Sequence, residues 1–116
     1  MNNKIAIVGS DSFIAQKFIN RFWNDYGFVC FSRLKTFDYE IPKEDFFDIE
    51  ASELKGCDVL INFAAIVHQP KLNDEKIYER VNYKLPLELA IKAKNAEVKH
   101  FIQMSTIAVY GHVENI

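Results

Sequence analysis

The chain has 116 residues, 49% of them hydrophobic and 26% charged, with a formal net charge of −2; that is apolar material for one core in one domain of modest size. A charge so near zero removes the electrostatic reason to expect nucleic acid or an anionic membrane surface as partner, and the chain has no run of about 18 apolar residues for a membrane span. Met1-Asn2-Asn3-Lys4 leads straight into a strand-like run, without the long apolar stretch of a signal peptide, so a cytoplasmic location is expected.

In chain order, residues 4–8 form an apolar run ending at Gly9, the pattern of a strand buried on both faces. Residues 12–26 read as a helix, with Phe13, Ile14, Phe18, Phe22 and Trp23 at helical spacing and Gly27 where a stop is expected. A second strand covers 28–31 and runs into Ser32-Arg33. Residues 34–42 lack a period and predict a loop, 45–48 (Asp-Phe-Phe-Asp) a third strand, and 51–54 a short helical turn. Residues 58–65 carry Val59, Leu60, Ile61 and Phe63 and make the strongest strand signal. After a polar loop over 69–75, Ile77, Val81, Leu85 and Leu89 mark a long helix to about Ala96, with Pro86 predicting a kink. Residues 99–105 close with a fifth strand.

Apolar strands alternating with helices predict a Rossmann-like, doubly wound parallel α/β sheet of about five strands, incomplete in this chain. Its ligands then bind beyond the carboxyl ends of the strands. Residues 1–116 are expected to be the amino-terminal portion of such a domain, because no helix follows the last strand. Cys30 and Cys57 sit in apolar surroundings with no metal-ligand or redox spacing, so buried free thiols are expected. No metal site is expected: His68 has no such spacing to His100 or His112.

The turn after the first strand joins a strand end to a helix amino terminus, where backbone N–H groups and the helix dipole favour a pyrophosphate. Gly9 is the one glycine there; Ser12 and Ala15, three and six positions on, are small enough to keep close approach open. Asp11 must point away from any bound anion.

Five segments together carry a resemblance. Gly9-x-x-Ser12-Phe13-Ile14-Ala15, Asp48-Ile49, Asn62-Phe63-Ala64-Ala65, Val81-Asn82 and Met104-Ser105-Thr106-Ile107-Ala108-Val109-Tyr110-Gly111 follow in an order that resembles the extended short-chain dehydrogenase/reductases. These are the NAD(P)-dependent nucleotide-sugar epimerases and dehydratases, UDP-glucose 4-epimerase among them. The resemblance implies a cofactor site from Gly9, Ser12, Phe13, Ile14, Ser32, Arg33, Asp48, Ile49, Phe63, Ala64, Ala65, Asn82 and Ser105. It implies Thr106 as the catalytic hydroxyl on the reacting sugar oxygen, with Asp48 receiving the adenine amino group. It places the Tyr-x-x-x-Lys acid/base pair beyond Ile116. Tyr110 cannot belong to that pair, because Glu114 stands where the lysine would fall.

The implied cofactor is NAD or NADP. Ser32-Arg33 and Lys35 end the second strand where an acid would bind the ribose diol, which tilts the expectation to NADP. The implied partners are a nucleotide-sugar substrate and a second copy of the chain, with neither nucleic acid nor membrane. Val67 stands where some sugar epimerases carry a cofactor-contacting lysine, which counts against 4-epimerisation. A reductase of a non-sugar ketone and a non-catalytic NAD(P)-binding sensor stay open as alternatives, and the chain by itself is expected to be inactive.

Overall fold

The computed structural model describes residues 3–64 and 75–104. Five parallel strands form one sheet in the order β3-β2-β1-β4-β5: β1 (Lys4–Val8), β2 (Gly27–Ser32), β3 (Glu40–Pro42), β4 (Val59–Asn62) and β5 (His100–Gln103). Ile7 is in register with Cys30 on one side and Ile61 on the other. β1 is buried from Ile5 to Val8, as a central parallel strand covered on both faces must be. Its alternate residues feed two cores. Ala6 and Val8 join Phe31, Leu60, Leu85 and Leu89 on one face, and Ile5 and Ile7 join Ala15, Ile19, Cys30 and Ile61 on the other. This is the Rossmann-like sheet the alternation predicts.

α1 (Phe13–Phe22) is capped by Ser12, whose side chain accepts from the Ala15 N–H, and it buries Ala15 and Ile19 against the sheet. It ends four residues earlier than expected. Asp25 and Tyr26 both donate to the Phe22 carbonyl, and Gly27, expected as the helix stop, is instead the first residue of β2.

The largest departure from the expected order lies between residues 34 and 48. The third strand is Glu40–Pro42, inside the predicted loop, and Phe46–Asp48, inside the predicted strand, is a 3-10 turn. Asp45 is the reason for the turn: its side chain accepts from the Phe47 N–H at 2.9 Å and caps it. β3 is a three-residue edge strand, where Pro42 costs no ladder bond inside the sheet.

α2 (Ala51–Leu54) falls where predicted, opened by a capping box between Glu50 and Glu53. The predicted long helix is broken. α3 (Glu75–Glu79) and α4 (Leu85–Asn95) are joined by a π-helical turn, Arg80–Lys84, in which the Leu85 N–H reaches the Arg80 carbonyl. Pro86 lies in the first turn of α4, where its missing N–H is tolerated. α4 then buries Leu85, Leu89 and Ala93 in the core.

Both cysteines are free and buried; burial pushes the Cys30 thiol up to about 12. Among the described residues, no helix is long and apolar enough to cross a membrane.

Candidate functional site

The strand order doubles back between β1 and β4, and such a switch point opens a crevice at the carboxyl ends of the strands. A cleft of about 500 Å³ lies there.

Its first wall is backbone. Gly9, just past β1, has φ +83°, and a Cβ placed on it would stand 2.9 Å from the Ala64 nitrogen and 3.2 Å from the Phe63 carbonyl carbon. Only glycine combines that left-handed conformation with so close an approach to the end of β4. The next strand-to-helix residues close quickly onto α1: Ser12 N–H donates to the Gly9 carbonyl at 3.2 Å, and Ala15 N–H to Ser12 Oγ at 3.2 Å. The N–H groups of Phe13 and Ile14 stand in the first helical turn, with no preceding turn to accept from them. They are the donors left to meet an anion, while both side chains are exposed.

The second wall is built from side chains that follow β2 and β3. Arg33 Nε donates to the Glu44 carbonyl at 3.1 Å. Asp45 accepts from Arg80 at 3.0 Å, and the Arg80 guanidinium lies 4.0 Å from the centre of the Phe47 ring. The bond from Phe47 N–H acts most strongly on the Asp45 carboxyl; burial opposes it, and the bond from Arg80 with the nearby charges of Arg80 and Arg33 leaves the group below its usual value of 3.8. The third wall is apolar, made by Phe63, Ala64, Ile77, Val81 and Leu85. Its β4 end is fixed by the buried Asn62, which accepts from Ala64 N–H at 3.0 Å and donates to Gln103 at 2.8 Å.

Of the site residues expected from sequence, Gly9, Ser12, Arg33, Phe63 and Ala64 line this cleft together. Phe13 and Ile14 are not in its lining; they open α1 directly after Ser12, which is. Ser32 and Ile49 are fully buried, Ser32 Oγ donating to the Leu34 carbonyl and Ile49 packing in the core, so they support the walls from behind. Asp48 is exposed and outside the lining; the acids that line the cleft are Asp11, Glu44 and Asp45. Asn82 sits in the π turn beside Val81, which does line it. Ala65, Ser105 and the catalytic candidate Thr106, together with Val67, His68, His112, Tyr110 and the loop over 69–74, lie outside the described residues.

Sequence reasoning missed Asp45, Phe47 and Arg80 as a group, because Asp45 and Arg80 meet only through the fold. The segment Tyr39-Glu40-Ile41-Pro42-Lys43 has the spacing of a Tyr-x-x-x-Lys pair, but its side chains have other partners. Tyr39 exchanges hydrogen bonds with Gln16, and Lys43 pairs with Glu53 at 2.9 Å. Burial pushes the Tyr39 phenol up, the opposite of what a neutral-pH proton carrier needs. Among the described residues, no group of three or more His, Cys, Asp or Glu is placed to hold a metal ion.

Fold and cleft together define a doubly wound α/β domain with a tight glycine turn at its switch point. The sequence pattern of the NAD dependent epimerase/dehydratase family matches residues 5–116, and the chain belongs to that family. No curated protein sequence is significantly similar to it. Among solved structures, MoeE5 in complex with UDP-glucuronic acid and NAD superposes with a TM-score of 0.81 at 22% identity, over 94% of this chain and 38% of that one. The UDP-N-acetylglucosamine 4-epimerase from Methanobrevibacter ruminantium M1, in complex with UDP-N-acetylmuramic acid, gives 0.77 at 22% identity, over 96% and 40%. The UDP-glucuronic acid 4-epimerase from Bacillus cereus, in complex with NAD, gives 0.70 at 21%, over 93% and 41%. The chain thus spans about two fifths of the length of these structures.

Proposed function

We propose that this chain is the amino-terminal, dinucleotide-holding portion of a nucleotide-sugar epimerase or dehydratase, and that residues 1–116 bind the cofactor without turning over a substrate. The observation that carries the reading is Gly9: its left-handed backbone lies against Ala64 where a side chain cannot fit, beside two helix-start N–H groups free to meet a pyrophosphate. That arrangement fits the cofactor of the family. Gly9 and the N–H groups of Phe13 and Ile14 would hold the pyrophosphate, Arg33 the ribose end, and Phe63, Ala64 and Val81 the flat apolar surfaces. Ala65, Asn82 and Ser105 are assigned to the same cofactor, and Thr106 to the substrate hydroxyl. When bound, the cofactor supplies the hydride acceptor for oxidation at a sugar carbon.

The NAD held in the solved relatives favours NAD over NADP, against the tilt that Arg33 gives in sequence. Arg33 Nε is already bonded to the Glu44 carbonyl, which ties part of its guanidinium to the protein. A nucleotide sugar as substrate is supported by the family and by the UDP-sugars held in the solved relatives. Self-association, in a cytoplasmic setting, is supported by the exposed Leu87 and Ile91 on α4 and Ile102 and Met104 on and beside β5; a stable monomer in size-exclusion chromatography contradicts that part alone.

Titrating NADH and NADPH into the chain and its Gly9→Val variant tests the rest. The expected result is NADH binding by the parent chain, weaker NADPH binding, and loss of both in the variant. No NADH binding by the parent overturns the cofactor site, and tighter NADPH binding overturns the choice of NAD. Conversion of a UDP-sugar by residues 1–116 overturns the inactivity.

A further inference from the structure

We propose that Glu40 is a positioning residue for the dinucleotide, a buried strut that ties the phosphate-facing turn to the loop carrying Arg33. The proposal rests on the cofactor reading of the cleft. Glu40 is 2% exposed and Ser10 is fully buried, yet none of the ion pairs among the described residues includes Glu40. A buried carboxylate without a cation must be satisfied by hydrogen-bond donors. It accepts from Ser10 Oγ, and from the N–H groups of Thr36 and Phe37 at 2.9 Å each.

Those three donors belong to two separate rims. Ser10 lies between Gly9 and Asp11, both of which line the cleft, and its own N–H donates to the Phe31 carbonyl at 3.1 Å. Thr36 and Phe37 belong to the loop that starts at Arg33, which also lines the cleft after the neighbouring strand β2. A second tie runs parallel to the first: Gln16 of α1 donates to the Ser10 carbonyl and to the Tyr39 hydroxyl, one residue before Glu40. Neither Ser10 nor Glu40 lines the cleft, so their effect on a ligand passes through the residues beside them. An apolar side chain would fill the same volume without the desolvation cost of a carboxylate. What the carboxylate adds is one rigid spacing between the site of the pyrophosphate and the site of the adenosine ribose.

The experiment is amide hydrogen exchange on the whole chain, together with NADH affinity, for Glu40→Ala, Glu40→Gln and Ser10→Ala. Glu40→Ala is expected to speed exchange at Thr36 and Phe37, and equally at Gly9 and Ser10 across the strut, with NADH affinity lowered about tenfold. Glu40→Gln keeps an acceptor for both backbone donors and is expected to recover most of both properties. Ser10→Ala serves where Glu40→Ala does not fold, and is expected to speed exchange at Thr36 and Phe37. Faster exchange confined to the mutated side, or equal NADH affinity in all variants, overturns the proposal; a filler role would lower the melting temperature without carrying exchange across the strut. Absence of NADH binding by the parent chain overturns the cofactor reading instead, and the exchange pattern still decides the coupling.

Discussion

Two of the cleft's walls are unlike. On the Gly9 side the shape comes from the main chain: one residue at φ +83°, a hydroxyl cap, and the start of a helix. On the Asp45 side it comes from side chains that reach across, with Arg80 bonded to Asp45 and laid on Phe47. A wall of backbone has a single way to be made and fails when a side chain is added. A wall of exposed ions and a ring is built from interactions worth fractions of a kcal/mol each, and can lose one without collapsing.

The strongest way to break that contrast is Gly9→Ala. Forcing a Cβ into the left-handed conformation and against Ala64 is expected to cost about 2–3 kcal/mol. Denaturant midpoints at an unchanged m-value measure it. A cost no larger than that of an exposed helix substitution would show that the turn relaxes freely. Next in size is Ser12→Ala, which removes the α1 cap and is expected to cost about 1 kcal/mol, with Ser12→Asp restoring it in thermal unfolding.

The opposite wall should respond less and in a pH-dependent way. Asp45→Asn keeps a capping acceptor for the Phe47 N–H and is expected to cost up to about 1 kcal/mol at neutral pH, through loss of the carboxylate charge beside Arg80 and at that cap. The sign follows from the lowered folded-state pKa: stability from the carboxylate is present above the ordinary value of 3.8 and is lost as pH falls through the folded value below it. The gap between parent and variant should therefore be constant from pH 7 to pH 5 and close below 3.8; a gap that closes near pH 6 would point to another group. The smallest effect is expected for Arg80→Ala, about 0.5 kcal/mol, because both partners of its ion pair are more than a third exposed. Raising the salt concentration should erase most of it.

The same contrast explains which parts of the site are legible in the amino-acid sequence. Gly9, Ser12 and the helix behind them form a local pattern whose chemistry needs no distant partner, and it is found where the spacing places it. The end of β4, with Phe63 and Ala64, is equally local. Residues 34–48 mislead because their determinants are long-range. Glu40 looks like a solvated loop acid, yet its carboxylate is buried against Ser10 thirty residues away. Asp45-Phe46-Phe47-Asp48 has strand-like content, but a capping bond folds it into a turn. Asp48, prominent in the sequence, is exposed, while Asp45 three residues earlier lines the cleft because Arg80 and Phe47 meet it there.

The π turn at Arg80–Lys84 carries a consequence of a different kind. Such a turn holds one residue more than the α-helical path it replaces, so it behaves as an insertion stored inside a helix. Deleting one residue within 80–84 would let α3 and α4 run as one regular helix. Five residues of a π turn sweep about the same angle as four of an α-helix, so the side chains ahead of the deletion would keep their facing relative to Leu85 and Leu89. Ile77 would keep its place in the cleft, and the core under α4 would stay as it is. The same deletion inside the regular α4 would instead turn every side chain ahead of it by about 100°, taking Ile77 and Val81 out of the cleft. The turn thus marks the one stretch of this helix pair where chain length can change without moving the wall.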